Sequence, residues 1–381
     1  MISYRLSRFP ALVAAAAAAL AIAVLAAAAF ASPGRAQSAL PSGLHDPLVQ
    51  QVNLASDVPG LAPVLDPDLA NPWGAALTPA SPLWVANQGT RSSTVYSLAP
   101  GASEVSKSAT VRVNIPGTLA GPAGLVANQG NGFVLTNGKV RAPAAVIFDT
   151  LDGHIEAWSP RVNAHIGNAD DVATVNGAAY TGLAVAVTAH GEELFAADFG
   201  KGTVDVFNSR FHRVNIAAWQ FTDPRLPAGY LPFNTQALGG RIFVTYDKTD
   251  PVTHREAVGA GIGIVDEFST SGRLIARIAA GGALNAPWGL AIAPRAWRNV
   301  AGALLVGNYG DGRVNVFARQ GTGFASHATG TTLLTSTGEP FAEPGLRSLV
   351  PGTATAGGTN VLWFTASINS GQGGLLGLLR K

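Results

Sequence analysis

An all-β ring of six blades, a six-bladed β-propeller, is the fold this sequence predicts, and three observations predict it. The first is repetition. ANPWGAALTP (Ala70–Pro79) returns as NAPWGLAIAP (Asn285–Pro294), and each copy runs on into an apolar strand and an Asn-x-Gly turn, PLWVANQG (Pro82–Gly89) and GALLVGNYG (Gly302–Gly310). The second is spacing. Weaker copies fill the gap, so that first strands start near Gly74, Gly124, Gly182, Gln236, Gly289 and Arg347, in steps of 50, 58, 54, 53 and 58 residues. A four-stranded propeller blade takes about 40–50 residues, and loops absorb the excess. The third is composition: 47% apolar residues and 45 glycines suit many buried strands joined by tight turns.

The chain opens on a leader. Arg5 and Arg8 precede an Ala/Leu/Val run from Ala11 to Ala31, and small-x-small sites permit cleavage before Ser32 or before Gln37. Residues 1–31 therefore read as a signal peptide (alternatively cleaved after 36), 32–45 as a flexible linker, and 46–381 as one propeller domain, secreted or periplasmic. Losing Arg5 and Arg8 without any acid takes the formal charge from +2 to zero, so the basic balance of the whole chain does not advertise a nucleic-acid partner. No Lys/Arg cluster interleaved with aromatics appears either. With no cysteine, disulfides and thiolate chemistry are excluded, and no segment after the leader is apolar for long enough to cross a membrane.

The orphan strand Asp46–Ser56 has no hairpin partner, and the sixth unit supplies three strands: the run after Pro344, VLWFTAS and GGLLGLLRK. Pairing the two would close the ring and leave no long exposed edge. PRAWRNVAG (Pro294–Gly302) predicts one short helical turn. Two polar insertions, Asp247–Gly261 and Pro160–Ala179, read either as solvated loops or as lids over the central mouth.

NPWG followed by WVANQGT, then ADFGKGTVDVF, FTDPRLPAGYLPFNTQ, PWGLAIAP and GNYGDGRVNVF resemble a family of secreted bacterial β-propeller proteins of no established activity. The resemblance runs from about Val49 to Leu379, and FTDP-LPAGY-PFN is its specific stretch. Some members of that family end in a Pro-Glu-Pro-type sorting tail; this chain ends Leu379-Arg380-Lys381. More distantly, the repeat is similar to the lactonase-type and NHL-repeat propellers.

In such a ring the loops entering first strands share a face with the turns leaving second strands. That face would collect Asn71, Trp73, Phe233, Asn234, Asn285 and Trp288 as ligand-binding candidates, with Asn87, Asn137, Asp198, Asp247 and Asn308 from second-strand exits. Oxygen ligands from Asn234, Asp247, Asp198 and Asn285 would suit Ca²⁺ or another divalent cation, which could polarise a lactone or ester carbonyl. Against this, Asn87, Asn137, Asp198 and Asn308 each sit where a turn needs an Asx hydrogen bond or a residue tolerant of positive φ. Trp73 and Trp288, between Pro and Gly, suit packing between blades or an aromatic wall.

The seven histidines show no zinc spacing, and no Gly-x-Ser-x-Gly elbow or phosphate loop occurs. Two functions of different class remain. One is a binding or scaffold propeller presenting its central face to an extracellular glycan, peptide or envelope ligand. The other is a divalent-metal-dependent hydrolase of the lactonase or esterase type.

Overall fold

Each repeat unit becomes one antiparallel sheet. The structure is a computed structural model that describes residues 48–79, 82–163, 167–253, 255–324 and 331–381; the leader, the linker and His254 lie outside them. Blade 1 is Pro72–Leu77, Leu83–Asn87, Ser92–Ser97 and Ser106–Asn114, paired in that order. Blade 2 is Pro122–Ala127, Val146–Thr150, His154–Trp158 and Asp170–Thr174; blade 3 is Tyr180–Thr188, Gly191–Asp198, Thr203–Asn208 and Arg213–Val214. Blade 4 is Tyr230–Leu238, Arg241–Lys248, Ile264–Ser269 and Leu274–Ala280, and blade 5 is Pro287–Ile292, Leu304–Asn308 and Val314–Phe317. The expected helical turn is the 3₁₀ segment Arg295–Val300. No described helix is long and apolar enough to cross a membrane.

Blade 6 carries the closure. Its inner strands Leu346–Pro351, Val361–Ala366 and Leu375–Arg380 are completed by Leu48–Ser56, which runs antiparallel to the last of them from Gln50 opposite Arg380 to Ser56 opposite Leu375. The orphan strand is therefore the fourth strand of the last blade, as its lack of a hairpin partner predicts, with the short strands Val64–Leu65 and Leu334–Thr335 paired parallel to it beyond. Ser348 Oγ and Thr365 Oγ1 then donate to the carbonyl of Trp73, at 3.0 and 2.6 Å, and join blade 6 to blade 1.

The first strand of each blade touches the first strands of its two neighbours, so these six strands line the axis. Apolar side chains fill the six spaces between successive blades, for example Leu54, Val85, Tyr96 and Trp363 between blades 6 and 1. Glycine permits the inner strands to come so close. A Cβ on Gly124 would lie 2.4 Å from the Leu183 nitrogen, and one on Gly74 would lie 2.6 Å from the Ala123 carbonyl oxygen. Gly124→Ala is expected to cost about 1–3 kcal/mol by forcing blades 2 and 3 apart. Urea melts would check this; an unchanged midpoint would mean that the strands do not depend on this approach.

Two local expectations are corrected. FVLTNG does not form the second strand of blade 2: Val134–Thr136 pairs with Arg141–Pro143 as an inserted hairpin, and the second strand follows at Val146–Thr150. Asn137 therefore caps that hairpin, accepting from the amides of Lys139 and Val140 at 3.1 and 2.9 Å, instead of leaving a second strand. The Pro160–Ala179 insertion holds the fourth strand of the blade, with Asp171 against His154 Nδ1 at 2.9 Å.

Candidate functional site

A bulge marks the start of every inner strand. Pairing with the second strand slips between Pro72 and Ala75, Pro122 and Leu125, Tyr180 and Leu183, Pro232 and Asn234, Pro287 and Gly289, and Leu346 and Leu349. Extra residues at a bulge bend the strand and re-aim its side chains. The residues placed there are Trp73, Ala123, Thr181, Phe233, Trp288 and Arg347, one from each blade. Trp73, Ala123, Phe233 and Trp288 gather with Phe199 into one apolar cluster. Trp73 meets Trp288 edge to face with ring centroids 6.2 Å apart, and the Trp288 indole donates to the Thr181 carbonyl at 2.8 Å. The two tryptophans thus pack across the axis, not within one inter-blade layer.

Arg347 is the exception in this ring. Its side chain is fully buried, with the guanidinium carbon 3.4 Å from the Trp73 ring centroid and 3.7 Å from that of Tyr309. Nη2 donates to Glu256 Oε1 at 2.7 Å. Glu256 belongs to the Asp247–Gly261 insertion, which folds onto the axis: Ala257 donates to the Lys248 carbonyl at 2.9 Å and Gly259 to Asn285 Oδ1 at 2.8 Å. Of the two readings of that insertion, the structure takes the lid. Burial raises the pKa of Asp247 to about 8, and the neighbouring Glu256 charge adds to the effect, whereas Arg347 holds Glu256 below the usual range despite its burial.

The other candidates are distributed as follows. Asn71, at φ 48°, donates Nδ2 to Gln88 Oε1 at 2.6 Å. Asn234 donates to the Trp288 carbonyl at 2.7 Å, and Asn285 spends its Oδ1 on the lid amide of Gly259. Asp198 accepts from the amides of Ala179 and Lys201 at 3.0 and 2.9 Å, an Asx turn; Asp247 accepts from the amide of Lys248 at 2.8 Å. Among the described residues, no three His, Cys, Asp or Glu side chains are grouped to hold a metal ion. The structure brings Trp73, Phe233, Trp288 and Asp247 towards Arg347, while Asn234, Asn285 and Asp198 face backbone groups. Sequence reasoning missed Arg347, Glu256 and Tyr309, although a charge inside GLRSLVP, where the other blades carry the uncharged Trp, Ala, Thr or Phe, was a usable signal.

At the opposite end, where the inner strands finish, the axis widens into an open pocket of about 320 Å³. Leu77, Leu125, Val185, Leu238, Leu290 and Leu349, one from each blade, line it, and Trp288 reaches it from within. Gln129, Gln236, Ser348 and Thr353 supply polar groups around it. Glu192, beside this face, accepts from the Gly132 amide at 2.6 Å.

No protein-family model matches the chain. Among curated proteins, "Uncharacterized protein R648" of Acanthamoeba polyphaga mimivirus is 32% identical over 323 residues, which is 83% of this chain and 76% of the viral protein. The chain belongs to the family of that protein. A second mimivirus protein of the family, "Uncharacterized protein L690", is 30% identical over 330 residues, 84% of this chain and 83% of its own length. These family members are viral, where the motifs resembled bacterial secreted proteins. Solved structures that align with this family member include virginiamycin B lyase from Staphylococcus aureus (TM-score 0.46, 10% identity, 87% of this chain and 99% of that one). Another is the PQQ-bound aldose sugar dehydrogenase from Streptomyces coelicolor (TM-score 0.45, 15% identity, 87% and 98%). For this member of the family, the propeller assignment stands on its own sheet order and ring closure.

Proposed function

We propose that the protein is a secreted or periplasmic binding propeller that takes the apolar end of an extracellular or envelope ligand into the axial pocket where its inner strands finish. The observation that supports this is the pocket itself. Its volume is that of a small-ligand site, and its walls combine aliphatic side chains from all six blades with polar groups that can orient what enters. At the other end, the four residues considered for a metal-dependent hydrolase, Asn234, Asp247, Asp198 and Asn285, each bond a backbone group of the ring or its lid. Binding is the reading favoured over hydrolysis.

The test is isothermal titration of the mature protein with a panel of acylated envelope lipids, apolar peptides and glycans. Ala237→Phe, which fills the half-buried wall of the pocket, serves as the control. A saturable isotherm without product, weakened at least about tenfold (1.4 kcal/mol) by Ala237→Phe, is the expected result. A panel with no binder, or one whose binding ignores Ala237→Phe, would refute the proposal.

A further inference from the structure

The geometry points to a second site, at the lid end of the axis: we propose that Arg347 anchors a binding site for a small organic carboxylate with a flat apolar body, and that Glu256 occupies this site as an internal stand-in which the ligand displaces. This goes beyond the first axial pocket, lies at the other end of the axis and uses different chemistry, so either proposal can fail without the other.

The argument starts from the donors. A guanidinium offers five N–H groups in a planar fork that fits a carboxylate in two-point fashion. Glu256 engages Nη2 of Arg347, while Nε and Nη1, both buried, have no partner among the described residues. Leaving buried donors of a charged group unpaired costs free energy, and a carboxylate free of the chain could take up two of them at once. Trp73 Nε1, in the ring that stacks on the guanidinium, is likewise buried without a partner.

The walls set the kind of acid. Trp73 and Tyr309 hold the guanidinium at 3.4 and 3.7 Å, and Phe233 lies 5.6 Å from it. Rings stacked on its faces leave the edges of the fork for an anion in the same plane. The aromatic surroundings favour a ligand whose remaining body is flat and apolar over a tetrahedral oxyanion.

The third element is the way Glu256 is delivered. It does not stand on a blade strand but on the excursion between the second and third strands of blade 4. Among the described residues, that excursion is joined to the blades at its base, by Ala257 to the Lys248 carbonyl at 2.9 Å, Gly261 to the Leu284 carbonyl at 2.8 Å and Gly259 to Asn285, while Asp250 accepts from the Val252 and Thr253 amides within it. Val252 and Val258 on it are exposed (84% and 56%). Such a segment can open without unpairing a blade. Asp247 beside it is a second carboxyl, buried and with no partner for Oδ2 among the described residues, that would meet the incoming acid.

The experiment uses sodium benzoate and acetate against sodium chloride at equal ionic strength, with tryptophan emission and melting temperature as readouts. In Glu256→Ala, the carboxylates are expected to raise the melting temperature by at least about 2 °C over chloride, by ligand linkage. Benzoate is expected to bind at least about tenfold more tightly than to the wild type, where Glu256 competes. Adding Arg347→Met should abolish both effects. If Glu256→Ala does not fold, Glu256→Gln, which keeps the shape and drops the charge, carries the same comparison. The proposal is overturned if carboxylates and chloride act alike on the variants, if the Arg347→Met background responds equally, or if the wild type binds benzoate as tightly as the Glu256 variants do.

Discussion

A chain that begins at Asp57 is expected to lose the cooperative melt shown by a chain beginning at Asp46. The difference is the strand Leu48–Ser56, and with it the fourth strand of blade 6. Its removal strips the backbone partners along one edge of Leu375–Arg380 and the burial of Val49, Leu54 and Ala55, all of which are 0–2% exposed. Truncating one buried leucine costs about 2–5 kcal/mol, and a whole domain is stable by only about 5–15 kcal/mol. Loss of the entire strand is therefore of the order of the total. Calorimetry of the two chains checks this, and a synthetic LVQQVNLAS peptide added to the shorter one should restore part of the transition. An unchanged transition in the shorter chain would show that the ring holds without its clasp.

The second large effect is a stability that falls as pH rises through neutrality. Burial raises the carboxyl pKa values of Asp149, Glu156 and Asp266 to about 7 and that of Asp247 to about 8. All four side chains are fully buried. Unfolded, they titrate near 4. Between about pH 4 and 7 the folded state therefore holds protons that the unfolded state has released. Stability is full below the unfolded values and declines with rising pH, each such group contributing to the slope until its folded value is passed. Asp68 and Asp223, whose cationic partners (Lys107 and Arg112, and Arg225 and Arg277) lower them, and Asp152, lowered by hydrogen bonds, act in the opposite sense, but below pH 4. Urea melts at pH 5, 6, 7 and 8 should show a steadily falling midpoint, and Asp149→Asn should flatten part of the slope. A midpoint that rises over that interval would contradict the assignment.

Much of the ring is legible in the sequence because each blade repeats the same local chemistry: an apolar run, an Asn- or Asp-containing turn, a second apolar run. The orphan strand near Val49 was legible for a converse reason, an alternating strand with nothing nearby to pair with. What the pattern cannot decide is which of two neighbouring apolar runs joins the sheet. FVLTNG and AVIFDT are equally strand-like, and only packing around Phe133, buried at φ 55°, sets one aside as an inserted hairpin. DDVAT was unreadable as a strand because an outer strand faces water and loses its apolar signature. The site was less legible still. Arg347 and Glu256 are 91 residues apart, and no local rule pairs a charge in one blade with a charge in the loop of another. In the most distinctive of the motifs, FTDP serves the scaffold, whereas Phe233 of its PFN end lies in the apolar cluster beside Arg347. Asp223 holds Arg225 and Arg277, and Phe221 packs on Phe195 and Phe268.

The clasp of blade 6 also has a kinetic side. Gln50 and Arg380, opposite one another, are separated by almost the whole described chain, whereas the connections within each blade are far shorter, from a few residues up to fewer than twenty between paired strands such as Pro122–Ala127 and Val146–Thr150. Loop-closure entropy grows as 1.5RT times the logarithm of length, so joining these two strands costs about 3 kcal/mol more than closing a ten-residue loop. Blades 1 to 5 can each form early from local contacts. The sixth must wait for the slowest encounter in the molecule, and until it happens Leu375–Arg380 offers an unpaired apolar edge to any other strand, including the same strand of a second molecule. Refolding at high protein concentration should therefore divide between closed rings and aggregates joined through this edge.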